Sequence, residues 1–451
     1  MNRRRLLQSG TVAFVGMLPM FGTACAALSA SPEQDTDPYM AAFYYAFPLY
    51  ELARIEQERT GAVNGQPGQL NVLAHRSRLL DHTSMMVTAP NNDTFYSSCF
   101  FELSGGPVEL IVPSSTDRYF SVAFMQAFTD VFAYVGTRAT QGQGGRFWIV
   151  GPDWHGLAPD GVRVIQAPSY DVWMLVRTLV DGPDDVEAAT AFQHRFSVIE
   201  PSGRPPARGF SVAAVDARDP VNFLSLVNEV IARNPGRPGI FARAEGFSAL
   251  GIGVDGLPAQ EVLDRWRDAI STGLAELQRA FRFRDDVVDG WSYTREGVGD
   301  FHENDHLRAT VALGGMAALT PDEAMYFHVH FGPDGQLLSG IDNYRWRVPP
   351  GGVPVDAFWS LSMYRVTPEG RYFFVENPIN RYSIGDRTPG LIVEPDGSME
   401  ILIQHARPEG PMAANWLPSP AGPMRLGLRA YLPRPELRDR SWLVPPLRRV
   451  G

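Results

Sequence analysis

Two histidines four residues apart, with a glutamate between them, carry the most recognisable chemistry in this chain. His302-Glu303-Asn304-Asp305-His306 has the form H-E-x-x-H. On a helix that spacing sets both imidazoles one turn apart, where they could hold zinc while the glutamate serves as base. The residues between are Asn and Asp, with Asp300 just upstream, and a solvated helix start explains the same letters. A second pair, His328-Val329-His330, would point to one side of a strand, so both rings could reach one metal. Such a site needs further ligands, for which His405 and Glu323 are available, while Phe327 and Val329 suit a half-buried strand equally well. His302, His306, His328 and His330 are thus the candidate ligands of a divalent transition metal.

A different chemistry gathers elsewhere. Asn91, Asn92 and Asp93 follow Pro90 as turn formers, and Thr94 and Tyr96 continue into a strand. Asp117-Arg118-Tyr119 opens another strand. Asn380, Arg381, Tyr382, Asp386 and Arg387 crowd into eight residues, with Asn415 and Trp416 downstream. Aromatic surface beside Asn, Asp and Arg suits a small polar molecule or a glycan. Asn92, Asp93, Tyr96, Arg118, Arg381, Asp386 and Trp416 are the candidate ligand-binding residues. Arg381 and Asp386 could equally form a buried ion pair that locks a loop. No G-x-S-x-G elbow is present, and Cys99, within FYSSCFFEL, has the setting of buried strand packing rather than of a nucleophile.

These residues must be positioned by three kinds of element. From Pro38 to Gln57 the spacing of Met40, Phe43, Tyr44 and Phe47 predicts an amphipathic helix, which Pro48 should kink or split. GPVELIVPSS, DRYFSVAFMQAFTDVFAYVG, GRFWIVGPDW, VRVIQAP and DVWMLVRTLVD are short aromatic and β-branched runs between Gly, Pro, Asp and Ser clusters, and read as strands. The middle is helical: 184–196, then VNFLSLVNEVIARN capped by Asp219-Pro220, then a long helix opened by Pro258. Val262, Trp266, Ile270, Leu274, Leu277 and Phe281 form its apolar stripe. From Ala324 the strands return as MYFHVHF, GIDNYRWRV, AFWSLSMYR, LIVEPDGS, MEILIQHA and MRLGLRAYL. Asp-Gly pairs at 334–335 and 396–397 are hairpin signals. No glycine-rich nucleotide loop or strand-helix alternation suggests a dinucleotide fold.

The N-terminus reads as an address. Asn2-Arg3-Arg4-Arg5-Leu6-Leu7, a short apolar run and GTACAALSA have the order of a twin-arginine export signal over residues 1–26, with the mature chain beginning near Ala27. The apolar run is shorter than the roughly 20 residues a bilayer span takes. Cys25 raises lipidation, but Gly22 stands where a leucine-like residue is usual, which favours soluble export to the periplasm or beyond. Loss of Arg3, Arg4 and Arg5 takes the net charge from −10 to −13. That acidity, without a basic block, argues against nucleic acid and anionic lipid as partners, and for neutral polar or cationic ligands. With Cys25 removed only Cys99 remains, so no internal disulfide is expected.

TAPNNDTFYSS, DRYFSVAFMQAFTDVFAYVGTRAT, FWIVGP and VWMLVRTLVDGPDD resemble the domain-of-unknown-function 1254 family. AFWSLSMYR, NPINRYSIGDRTPGL, DGSMEILIQ and NWLPSPAGPMRLGLRAYLP resemble the domain-of-unknown-function 1214 family. The resemblance implies a mostly β chain with a helical middle: an immunoglobulin-like β-sandwich with its leading helix over 38–181, a small helical domain over 182–322, and a C-terminal jelly roll over 323–451. It brings no catalytic residues. The expected function is binding of a small polar or glycan-like ligand by an exported protein, which could also act on it. A metal-dependent enzyme using the histidines and a non-catalytic cell-envelope interaction module are the alternatives.

Overall fold

Period-two runs in the first half fold as nine strands: β1 (Ala74–Arg76), β2 (Thr94–Glu102), β3 (Val108–Val112), β4 (Phe120–Gln126), β5 (Val131–Gly136), β6 (Gly145–Val150), β7 (Val162–Gln166), β8 (Asp171–Leu179) and β9 (Ser197–Ile199). This is a computed structural model, and it describes residues 37–450 apart from 86–87, 235–240, 283–285, 333–334 and 368–370. The residues expected to form an export signal, Cys25 and the Asp334 half of the first Asp-Gly pair lie outside the described residues. One sheet runs β1-β2-β8-β4-β5 and the other β7-β6-β3-β9. Between them Cys99, Phe101, Leu110, Phe120, Val122, Phe124, Phe147, Met174 and Val176 form a core. Cys99 is thus a packing residue, its thiol pushed up by burial.

The second half repeats the plan with different strands: β10 (Val287–Val288), β11 (Trp291–Ser292), β12 (Ala324–Val329), β13 (Asn343–Val348), β14 (Val355–Val366), β15 (Tyr372–Phe373), β16 (Ser383–Gly385), β17 (Met399–Gln404), β18 (Trp416–Pro418), β19 (Met424–Pro433) and β20 (Arg448–Val450). A sheet ordered β10-β11-β12-β19-β14-β15, with β16 also on β14, faces a sheet ordered β18-β17-β13-β20. Trp291, Phe327, Trp346, Trp359, Leu361, Ile401, Leu426 and Leu428 fill the space between. The expected strand LIVEPDGS does not form. Asp396-Gly397 makes a tight turn, with Gly397 at φ 84°, but leads into β17, whose partners are β13 and β18 rather than the preceding segment.

The helical middle forms where predicted. Helix α1 (Pro38–Thr60) leads; α2 (Val186–Gln193), α3 (Pro220–Arg233), α4 (Gln260–Arg282) and α5 (Asp305–Gly314) follow. Asp219 caps α3, its carboxylate accepting from the amides of Val221 and Asn222. Trp266, Ile270 and Leu277 of the α4 stripe are buried. Pro48 does not split α1, and the helix is not amphipathic through its middle: residues 42–50 are all buried. The helix is gripped from two sides. Phe43 and Phe47 pack with Phe223 and Trp266 of the helices, while Leu52 packs with Phe100 and Trp173 of the first sandwich. Burial on both faces offsets the lost amide of Pro48. Residues 38–451 cluster as one compact unit. Several elements pack outside the segment expected for them: α1 joins the helical core, β9 completes a sheet of the first sandwich, and β10 and β11 extend a sheet of the second. Among the described residues no helix is long and apolar enough to cross a membrane.

Candidate functional site

Antiparallel register puts directly paired residues on the same face of a sheet. In the first sandwich Arg177 on β8 pairs with Tyr96 on β2 and Ser121 on β4, giving a transverse row Tyr96–Arg177–Ser121. In the second, Arg429 on β19 pairs with Tyr326 on β12 and Ser360 on β14, giving Tyr326–Arg429–Ser360. The faces that carry these rows meet at a seam between the sandwiches. Beside the rows, Tyr119, Ala123 and Leu179 pack on Ala324, Phe358 and Tyr431.

The seam is laced by hydrogen bonds. Asp93, 5 % exposed, accepts from the Ser360 hydroxyl at 2.6 Å. Asn91 donates to the Tyr431 hydroxyl at 2.8 Å, and Tyr119 donates to Glu323, which Arg138 also engages at 2.7 Å. Arg429 is answered at both Nη atoms by neutral acceptors: Ser362 and Tyr364 hydroxyls, and the carbonyls of Ala89 and Pro90. Arg177 is not. It is 6 % exposed, donates through Nη2 to the Ala317 carbonyl at 2.8 Å, lies 5.6 Å from the Tyr96 ring centroid, and leaves Nη1 without a hydrogen-bond partner. Ser121 Oγ, also buried, makes no hydrogen bond of ordinary geometry. Its polar neighbour is the Tyr119 hydroxyl, whose proton goes to Glu323. The loop after α5 covers both rows, since the Leu319 amide donates to the Tyr326 hydroxyl while Ala317, at φ 63°, turns its carbonyl to Arg177.

Of the residues expected to bind ligand, Asp93 and Tyr96 lie at this seam. Asn92 is spent on a local contact, its amide donating to the Leu80 carbonyl. Asp386 lies at the seam's edge, accepting from the Trp359 amide at 3.3 Å. Burial pushes its carboxyl up to about 6, Arg387 opposes that, and the like charge of Asp93 adds to it. Arg381 does not pair with Asp386; it donates to the carbonyls of Ala414 and Trp416 at 2.7 and 2.9 Å. Trp416 is core, with its indole N–H on the Gln404 carbonyl. Arg118 clamps Asp185 with two hydrogen bonds and the Leu179 carbonyl with a third. It lines a shallow concavity of about 580 Å³ with Ser115, Asp117 and Arg195, away from the seam.

The histidines form pairs at best. His302 precedes α5, stands at φ 50° and is 79 % exposed, while His306 in the first turn packs edge-on against Tyr44 at 4.8 Å. The two are therefore not one turn apart on a helix. The segment serves another end: Arg308, fully buried, ties α5 to Asp130 and the Phe128 carbonyl, both at 2.6 Å. His328 stands over Gly427, where a Cβ would lie 3.2 Å from its Nδ1, and His330 packs against Tyr372. Glu323 is five residues from His328, roughly 16 Å along an extended strand, and His405 is hydrogen-bonded to the Ser419 carbonyl. Among the described residues no group of three or more His, Cys, Asp or Glu is placed to hold a metal ion.

Comparison with known proteins fits this two-sandwich plan. Residues 70–200 match the family described as "Protein of unknown function (DUF1254)", and residues 323–435 match "Protein of unknown function (DUF1214)". No curated protein matches the chain. The crystal structure of the VPA0106 protein from Vibrio parahaemolyticus is similar at a TM-score of 0.69 and 20 % identity, covering 92 % of this chain and 99 % of that one. A structure of an uncharacterised protein from Burkholderia cenocepacia aligns at a TM-score of 0.48 and 12 % identity, over 91 % and 88 % of the two chains. The first of these shares the fold, and the two matches in tandem place this chain in the DUF1254–DUF1214 family.

Proposed function

We propose that this chain binds a small polar molecule at the seam between its two β-sandwiches. The observation that carries the reading is Arg177, a guanidinium more than nine-tenths buried with one nitrogen unanswered, beside Ser121, a buried hydroxyl with no hydrogen bond of ordinary geometry. Each such group costs about 1–3 kcal/mol when nothing takes its place in water, so a seam that keeps both is supported by a ligand that completes them. Tyr96 and Tyr326 supply aromatic surface beside Arg177. Ordered water could answer the same need, and crystallography separates the two. Crystals of the mature protein soaked with mixtures of small sugars, amides and carboxylates should show an organic molecule between the rows. Water alone at Arg177 and Ser121 in every soak would overturn the reading.

The same proposal includes export in the folded state, supported by the Arg3-Arg4 pair before a short apolar run. Changing Arg3 and Arg4 to Lys should hold the precursor in the cytoplasm. Unchanged appearance of the protein outside it would refute that route.

A further inference from the structure

We infer that the seam takes a small monocarboxylate, a proposal that rests on the binding reading above and names the chemistry of its ligand. Three observations lead there. The first is charge. The rows hold two guanidiniums, Arg177 and Arg429, against one carboxylate in hydrogen-bond contact with them, Asp93, while Glu323 is engaged by Arg138 and Asp386, at the seam's edge, lies beside Arg387. Among the described residues Arg177 has no carboxylate in ion-pair contact. A cation this buried is ordinarily paired, and one negative charge completes it.

The second is the count and placement of donors. Arg177 Nη1 and Ser121 Oγ are the groups in the row without hydrogen bonds of ordinary geometry, and direct cross-strand pairing puts their residues side by side on one face. Two neighbouring donors match the two oxygens of a carboxylate. A phosphate or sulfate would bring three or more oxygens and, for phosphate, more charge than the single excess. The third is the setting: Tyr96 and Tyr326, the aromatic members of the two rows, lie beside Arg177 and bring ring surface suited to a flat or apolar remainder. The local charge is thus the reverse of the acidic chain as a whole.

Ala317 O occupies one Arg177 donor direction from a left-handed backbone position that Ala rarely adopts. The covering loop therefore holds a carbonyl against Arg177.

Titrating the mature protein with benzoate, benzamide and inorganic phosphate, by calorimetry, tests the assignment. Benzoate should bind, with phosphate and benzamide at least about tenfold weaker, as loss of a charge-assisted contact implies. Arg177→Gln should weaken benzoate by a similar factor, and Arg407→Gln, at an exposed position on the second sandwich, should not. If benzamide binds as well as benzoate and Arg177→Gln changes neither, the seam binds polar molecules and the carboxylate assignment fails. If none of the three binds and soaked crystals hold only water at Arg177, both readings fail. Should Arg177→Gln not fold, 4-bromobenzoate soaked into wild-type crystals decides: bromine density between the rows supports the assignment, and its absence there overturns it.

Discussion

Asp93 and Ser360, 267 residues apart in the chain, are joined by a 2.6 Å hydrogen bond across the seam between the sandwiches. Asp93 also accepts from Ser383 at the limit of hydrogen-bond distance, and the Val180 amide donates to its carbonyl. One short side chain thus fastens the first domain to two strands of the second, while its charge faces Arg429.

Asp93→Asn keeps the size of the group and removes that charge. Arg429 would then lack its nearby carboxylate, and the unfolding free energy should fall by about 1–3 kcal/mol. Urea denaturation read by tryptophan fluorescence measures this; an unchanged midpoint would show that Arg429 is satisfied by its neutral acceptors alone.

Arg118 and Trp416 read from sequence as ligand contacts; Arg118 is held on Asp185 and Trp416 is buried in the second sandwich. Arg118→Ala breaks a clamp on Asp185 that is about five-sixths buried, and should cost about 1–3 kcal/mol. Trp416→Ala removes a fully buried ring and should cost about 3–5 kcal/mol. Benzoate affinity of the folded variants should match wild type in calorimetry, and a tenfold loss in either would return that residue to the site.

Asp386 gives a pH signature. Its folded carboxyl titrates at about 6 against an ordinary value of 3.8. Between these values the folded state keeps a proton that the unfolded state has released, so this group lowers stability as pH rises through the window. Asp386→Asn should remove that slope, leaving stability near pH 4 unchanged and raising it at neutral pH by about 1 kcal/mol once solvent screening of a side chain 33 % exposed is counted. Thermal midpoints across the range test it, and equal gains at both ends would point to a cause other than titration.

A chelator should leave the thermal midpoint of the protein unchanged, because His302 and His306 do not share a helical face and, among the described residues, no group of three or more His, Cys, Asp or Glu is placed to hold a metal ion. A fall of several degrees on adding EDTA, reversed by zinc or iron, would restore a metal to the account.

The order of elements was legible because it rests on local rules. Val262 to Phe281 and the Asp219-Pro220 cap announce helices, and the alternating runs announce strands. LIVEPDGS failed because local β preference counts for little without a ladder partner. The seam was legible only in part. Asp93 and Tyr96 stood out as polar residues beside a turn, but Arg381 and Asp386 are neighbours in sequence whose partners lie elsewhere. Arg177 and Arg429 were missed although a signal existed. A lone arginine inside VWMLVRTL, and the alternation Arg425, Gly427, Arg429, Tyr431 in MRLGLRAYL, mark strands with one polar face that is buried. That the two faces meet is a long-range fact no local pattern holds.

The facing rows also bear on how the protein comes to be competent. Each row is drawn from strands of one sandwich, so register within a sandwich must be settled before its row exists. The rows then meet only when contacts such as Pro90 with Arg429, 339 residues apart, close. Loop closure over such separations is slow compared with local strand pairing. The proposed ligand capture should therefore be among the last properties this chain acquires as it folds. The rate at which benzoate affinity returns after dilution from denaturant would time the docking of the two halves, after each has regained its own tryptophan signal.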